Sequence, residues 1–481
     1  MDFRTYLLRA AQLFDEEEWR SRDKSPEEEE GDTRWGNCLP EILLEDIFSL
    51  LVPKHRHEAS QVCRTWYQAF YAPRVWGTFV LMETTLTKRR FNLYKGYQRE
   101  LCPRKTQVCL QRVGHLFKKI IITPLSDFYN LYEFLRVLSA FLEYYEEHEE
   151  YPMPLLKTFD FTFACENRGM TGSIVHGTGG KILQILETLL GNMIGLKHVS
   201  VNQLLLGPEE VPGLMESLAK NCAESLQTLE LLNCCKVPYP MSDITQFGNL
   251  HTLTISPQHL DDEMLLLLAG MGLGKLHIVQ DAYTCDTEPI NYEVWKLVKE
   301  MAPNFRVSLS LRGLTKKEIV IQPHAPVYCV VYRAPYSKIN LDFASSLCDY
   351  YPRYLEVYAQ EGFPRSHGSR SFVDRGDTTF VHLVRICPRL KTLVIRERIS
   401  YATLLIIASL GKNLENLVVR ENALIKKMDW PMLSGWTDDF YRFLKKNSKN
   451  LEDTTREVSM LLKKSWKPLR DEDFKKVSIK L

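Results

Sequence analysis

Residues 172–181, GSIVHGTGGK, are the first place in this sequence where residue type and spacing could hold a phosphate. Glycines ahead of a helix leave backbone N–H groups open to an anion. The spacing does not complete the motif, because no Lys-Ser or Lys-Thr pair follows a glycine at the required place. A flexible insertion between repeats explains the string better. His55 and His57 flank Arg56 and are of ligand type. No carboxylate or cysteine stands at a suitable spacing, so a polar turn is expected there. The twelve cysteines contain no Cys-x-x-Cys pair, and Cys102 and Cys109 lack histidines at ligand spacing. Gly-x-Ser-x-Gly and His-Glu-x-x-His are both absent. The run Glu27-Glu28-Glu29-Glu30 sits in a polar stretch that fixes no geometry, so it is a solvated linker rather than a carboxylate pair. The expectation is therefore no catalytic residue, no metal and no cofactor.

Charge and hydropathy narrow the partners. A net charge of +1 over 481 residues gives no whole-chain electrostatic case for nucleic acid or membrane. No apolar run approaches the length needed to span a bilayer, and residues 1–20 are too broken by charge to read as a signal peptide. Scattered cysteines in core-like positions, such as Cys63 and Cys222, fit a reducing compartment, the cytosol or the nucleus. Two local excesses stand out. Lys88-Arg89-Arg90 lies beside Phe91 and Tyr94, a basic and aromatic mixture that can bind nucleic acid but is short enough to be a solvated connector. Residues 441–481 hold 12 basic and 6 acidic side chains, a net of +6, and read as a cap or tail.

The elements that could position a binding surface begin at residues 35–76. Leu39, Ile42, Leu43, Ile47, Phe48 and Leu51 recur at helical spacing after Pro40. Pro53 ends that helix. A second helix is expected from about Glu58 to Tyr71, with Ala59, Val62, Cys63, Trp66 and Phe70 on one side, before Pro73 and Trp76 close the unit. Forty-odd residues this rich in Leu, Ile and Trp are too few to bury a core alone, so they must pack on something else.

Leu39-Pro40, Ile42, Leu43, Ile47-Phe48, Leu51, Val62-Cys63-Arg64, Trp66 and Trp76 resemble an F-box. That resemblance implies a module that binds Skp1 and, through it, cullin and RING subunits. It implies Skp1 contacts at Leu39, Pro40, Ile42, Leu43, Ile47, Leu51, Val62, Cys63, Trp66 and Trp76. Sequence does not sort residues that would touch Skp1 from those packed inside.

From about residue 116 an L-x-x-L-x-L alternation recurs, as in Leu196-Val199-Val201, Leu226-Leu229-Leu231, Leu250-Leu253-Ile255 and Leu273-Leu276-Ile278. Steps of 30, 24 and 23 residues fall at or near the leucine-rich-repeat period. Helical patterns at 181–192, 211–222, 261–271, 291–301 and 401–411 separate the strands. Val307-Leu309-Leu311, Ile319-Val320-Ile321, Val327 to Val331 and Tyr354-Val357 read as further strands, and 363–377 as an exposed loop. The expected fold is α/β: an all-helical F-box followed by an irregular leucine-rich-repeat solenoid with a parallel sheet on one face. Its boundaries are an arm and acidic linker at 1–34, the F-box at 35–80, the solenoid at 81–422 and a helical, basic cap or tail at 423–481.

Residues between the inward apolar positions point out of a strand. One such row is Asp160, Ser200, Glu230, Thr254 and His277; a second is Thr158, His198, Thr228, Thr252 and Lys275. The first row is the expected contact with a protein substrate. The order of parts resembles F-box proteins with leucine-rich repeats, which implies a non-catalytic substrate receptor of a Skp1–cullin ubiquitin ligase. A Skp1-binding scaffold that delivers nothing for degradation is the alternative. Neither reading involves a membrane or nucleic acid.

Overall fold

The computed structural model describes residues 39–480 except 94–95, 147–150, 165–179, 337–340 and 365–369. The N-terminal arm, the acidic linker and most of the glycine-rich string lie outside the described residues. The chain divides into two compact units, one comprising Met1–Leu229, Cys234–Lys236 and Gln246–Asn249, the other the remainder to the C-terminus.

The first unit opens with four short helices: α1 (Glu41–Leu50), α2 (Pro53–Ser60), α3 (Arg64–Phe70) and α4 (Pro73–Trp76). The single second helix expected over 58–71 is divided between α2 and α3. Cys63, with φ −159° and ψ 171°, is extended and re-starts the helix at Arg64. Pro53 does end α1, and it also occupies the first turn of α2, where its missing N–H costs nothing. Strand β1 (Thr78–Leu81) follows directly.

A hairpin of β2 (Thr87–Asn92) and β3 (Gly96–Leu101) comes next and forms its own antiparallel sheet, where a connector was expected. Strands β4 (Lys119–Ile122), β5 (Thr158–Thr162) and β6 (His198–Asn202) then add in parallel to β1. Their crossovers include helices Phe128–Glu146 and Lys181–Asn192. In the latter, Ile182, Leu183, Leu186, Leu189 and Leu190 are buried, the spacing of one helix face. Along β4 and β5 burial alternates residue by residue, so one face of this sheet packs on helices while the other stays open.

Strand β7 (Thr228–Leu231) leads into the second unit. There β8 (Thr252–Ile255), β9 (Lys275–Gln280), β10 (Arg306–Arg312), β11 (Val327–Arg333), β12 (Val357–Gln360) and β13 (Thr392–Ile395) pair in parallel, each with the next. After the two-residue β14 (Ile399–Ser400), β15 (Asn416–Val419) pairs with β13, and β16 (Leu424–Ile425) pairs with β14. Burial no longer alternates. The inner residues of β9, β10 and β11 are almost all buried, as in parallel strands covered on both faces.

Two covers account for much of this. Helix Tyr401–Leu410 is buried nearly all round and packs against Asp438–Asn447 and Leu451–Leu461, so the helical end of the chain forms an added layer on the helix side. The last segment lies on the other face. Phe474 is fully buried among Cys329, Val331, Ala359 and Val394, with Leu469, Val477 and Ile479 packed at the same cluster. The Leu469 N–H donates to the Val419 carbonyl at 2.9 Å, and the Ile479 N–H donates to Glu361 Oε1 at 2.5 Å.

Two further expectations are corrected. Ile319-Val320-Ile321 joins no strand, because the Val320 N–H is taken by Gln280 Oε1 at 2.7 Å instead of by a ladder carbonyl. The described end of the 363–377 loop is not all exposed. The Arg375 guanidinium is buried between Asp377 and Asp429, at 2.7 and 2.9 Å.

Candidate protein-docking site

Helix α1 carries apolar side chains on more than one side. Leu44 and Phe48, four residues apart, are fully buried. The Phe48 ring meets Trp66 edge-on at 5.6 Å. That leaves Ile42, Leu43, Ile47 and Leu50 exposed, Leu50 by 85% and Ile42 by 64%. Val52 and Tyr67 are also exposed, and Val62 is exposed by 63%. Scattered single apolar residues on a surface need no explanation, but so many large ones along a few short helices mark a docking surface.

The scaffold beneath them is held by Arg56. Its guanidinium donates to three carbonyls at the end of α1: Phe48 at 3.1 Å, Leu51 at 2.8 Å and Ser49 at 3.0 Å. A positive charge at a helix C-terminus complements both the orphan carbonyls and the dipole. The same group lies 4.8 Å over the Trp76 ring. Burial lowers the Arg56 pKa from its ordinary value, a cost that the carbonyls and the ring offset. The sequence marked 55–57 as a polar turn; Arg56 is instead an internal fastener of helix α2.

Trp76 sits on the inside too. It is only 2% exposed, its indole N–H donates to the Phe70 carbonyl at 2.6 Å, and it stacks on Phe117 at 6.2 Å. It fastens the four helices to the sheet of the same unit and is not available to a partner. Leu39, Leu51, Cys63 and Trp66 are half-buried, Pro40 is exposed, and Ile42, Leu43, Ile47 and Val62 are the outward members of the expected set. Leu50, Val52 and Tyr67 join them and were missed. Leu50 stands three residues after Ile47 and seven after Leu43, on the same exposed face of the helix, so the spacing that marked those two could have found it.

The expected substrate row has the expected register, with Asp160 beside Ser200 and Thr254 beside His277. Its members do not share one environment. Asp160 is half-exposed, 3.8 Å from Lys119, and Ser200 accepts from Asn202 Nδ2 at 2.8 Å. Glu230 faces Arg312 at 3.6 Å. Thr254 and His277 are buried, so they cannot belong to an open surface. His277 Nδ1 lies 2.5 Å from the Ser308 hydroxyl, and burial, with Lys275 and Arg312 acting in the same sense, lowers its pKa to about 4. Of the second row, His198 and Lys275 are exposed and Thr158, Thr228 and Thr252 half-buried.

Among the described residues no group of three His, Cys, Asp or Glu could hold a metal ion, and no helix is long and apolar enough to cross a membrane. Burial pushes the thiols of Cys109 and Cys329 up to about 12, which leaves them protonated and poor nucleophiles.

The crystal structure of the Rad7 and Elc1 complex in yeast is similar to this chain at 14% identity and a TM-score of 0.38, covering 82% of this chain and 92% of that one. The F-box-like family model matches residues 37–82. The chain thus carries an F-box-like region at its helical start, followed by an α/β region built on a long parallel sheet.

Proposed function

We propose that the chain is a non-catalytic substrate-recognition subunit of a Skp1–cullin–F-box ubiquitin ligase, acting in the cytosol or the nucleus. The observation that carries this reading is the exposed apolar surface of Ile42, Leu43, Ile47, Leu50 and Val62 within the F-box-like match. Skp1 covers that surface, and cullin and RING subunits follow through Skp1. The resemblance of residues 294–297, 304–307 and 390–419 to F-box only proteins 33 and 39 supports placing the chain among F-box proteins with repeats. Ubiquitin transfer then asks for no catalytic side chain here. The receptor holds a substrate lysine near a charged conjugating enzyme and raises its effective concentration. The substrate surface lies on the open face of the first unit's sheet, where Asp160, His198 and Ser200 remain accessible.

The test is Skp1 co-precipitation with Ile42→Ser, Ile47→Ser and Val62→Ser combined. All three side chains are exposed, so the fold stays intact. Each large apolar side chain fully taken from water contributes roughly 1.5–3 kcal/mol, and these three are 64%, 42% and 63% exposed, so the triple variant should lose roughly a hundredfold or more in affinity. Undiminished recovery of Skp1 would overturn the reading. Substrates are sought by co-purification from cells in which neddylation is blocked.

A further inference from the structure

The β2–β3 hairpin is not absorbed by Skp1 binding. Among the described residues its two strands pair only with each other, with Arg89 directly opposite Arg99 and Phe91 directly opposite Tyr97. These four side chains share one face, because residues two apart along a strand point the same way. Facing residues in such a pair stand about 5 Å apart, and like charges there repel. No described carboxylate pairs with Arg89 or Arg99, whereas Arg90, on the opposite face, is paired with Glu100 at 2.9 Å. The aromatic pair meets edge-on at 5.2 Å and the Arg89 guanidinium lies 5.8 Å from the centre of the Tyr97 ring, yet both rings still face solvent, Tyr97 by 74%. Leu93 at the turn is 88% exposed.

The hairpin is not a loose excursion. Asn130 accepts from the Leu101 N–H at 2.7 Å and donates to the Arg99 carbonyl at 3.0 Å, which ties the root of β3 to helix Phe128–Glu146. The arm is thus an anchored hairpin that keeps two arginines without a described carboxylate partner and two exposed rings on one side.

We propose that this face of the arm binds single-stranded nucleic acid, the paired arginines on phosphates and Phe91 and Tyr97 stacked on unpaired bases. Both halves of the face then find partners at once. Phosphates remove the arginine repulsion, and bases cover rings that a purely acidic ligand would leave in water. Outward rings stack only on bases that are not already stacked in a duplex. The near-zero net charge of the whole chain hides this local excess.

The full chain is titrated with fluorescein-labelled single-stranded RNA, single-stranded DNA and a glutamate-rich peptide, read by fluorescence anisotropy. Two phosphate contacts on a single strand give a slope of log K against log salt of about −1.4, or a roughly sevenfold loss from about 50 to 200 mM salt. Arg89→Gln with Arg99→Gln should weaken oligonucleotide binding at least tenfold and flatten that slope. Phe91→Ala with Tyr97→Ala should weaken it about tenfold and leave the slope in place. The RNA and DNA arms show which strand is preferred, and binding of either supports the proposal. Skp1 recovery should be unchanged in both variants, which separates a failure here from a failure of the ligase reading. No oligonucleotide binding at the lower salt overturns the proposal. So does equal binding of the acidic peptide with no effect of the ring substitutions, which would make the arm a protein contact.

Discussion

Replacing Arg56 with Met keeps an unbranched apolar stem and removes the guanidinium with its charge. Three carbonyls at the end of α1, those of Phe48, Ser49 and Leu51, then lose their donor, and the Trp76 ring loses its cation. A hydrogen bond to a charged group contributes about 1.5–3 kcal/mol, and a cation over an aromatic ring about 0.5–2 kcal/mol. These do not add in full, since water reaches some of the freed carbonyls. A loss of about 3 kcal/mol in the local stability of the first three helices is expected. That corresponds to a fall on the order of a hundredfold in amide hydrogen-exchange protection across residues 44–52, read by mass spectrometry. Arg56→Lys should fall between, since an ammonium has no planar fork to spread over three carbonyls. Skp1 affinity should drop with protection, because Ile42, Ile47 and Leu50 lose the helix that presents them. Protection in Arg56→Met within threefold of the parent chain would refute the argument that this residue fastens the unit.

Phe474→Ala should cost about 3–5 kcal/mol locally and free residues 470–480, so that trypsin cuts at Lys475 and Lys476 well before the rest of the chain; an unchanged digestion rate would show that the segment is held by something else. His259 and His277 are both buried, with pKa values of about 4, against about 6.5 in an unfolded chain. The unfolded chain takes up more protons, so their contribution is full above pH 6.5 and is lost as pH falls toward 4. Urea denaturation should show the second unit weaker by about 1 kcal/mol per histidine at pH 5.5 than at pH 7.5, and His259→Gln with His277→Gln should flatten that dependence. Asp377→Asn removes one of the two carboxylates that flank the buried Arg375 guanidinium and leaves Asp429 at 2.9 Å, so it should destabilise the second unit by about 1.5–3 kcal/mol, seen as a lower denaturation midpoint at unchanged slope.

Local pattern settled the repeating part of this protein. Helices expected at 181–192 and 211–222 occupy those residues, and the strands follow the L-x-x-L-x-L register, because each repeat is shaped mainly by its own strand, its own helix and the next strand. The F-box stretch was legible for a related reason, since Leu39-Pro40 and the Cys63-to-Trp66 string lie within one short helical unit. What the sequence could not decide was the direction in which an apolar side chain faces when a helix has two apolar sides. Leu44 and Phe48 pack inward while Ile42, Ile47 and Leu50 point out, and Trp76, equally apolar, turns into the sheet. The same limit explains the substrate row. The continuous apolar run of β11 already signals burial on both faces, in contrast to Thr-Phe-Asp-Phe-Thr in β5. Which segment supplies the second cover is another matter. Phe474 reaches Val331 and Ala359 from more than a hundred residues away, and no periodicity within either segment encodes that meeting. Only the folded chain brings the tail onto the sheet, since the contact depends on how all the intervening repeats stack.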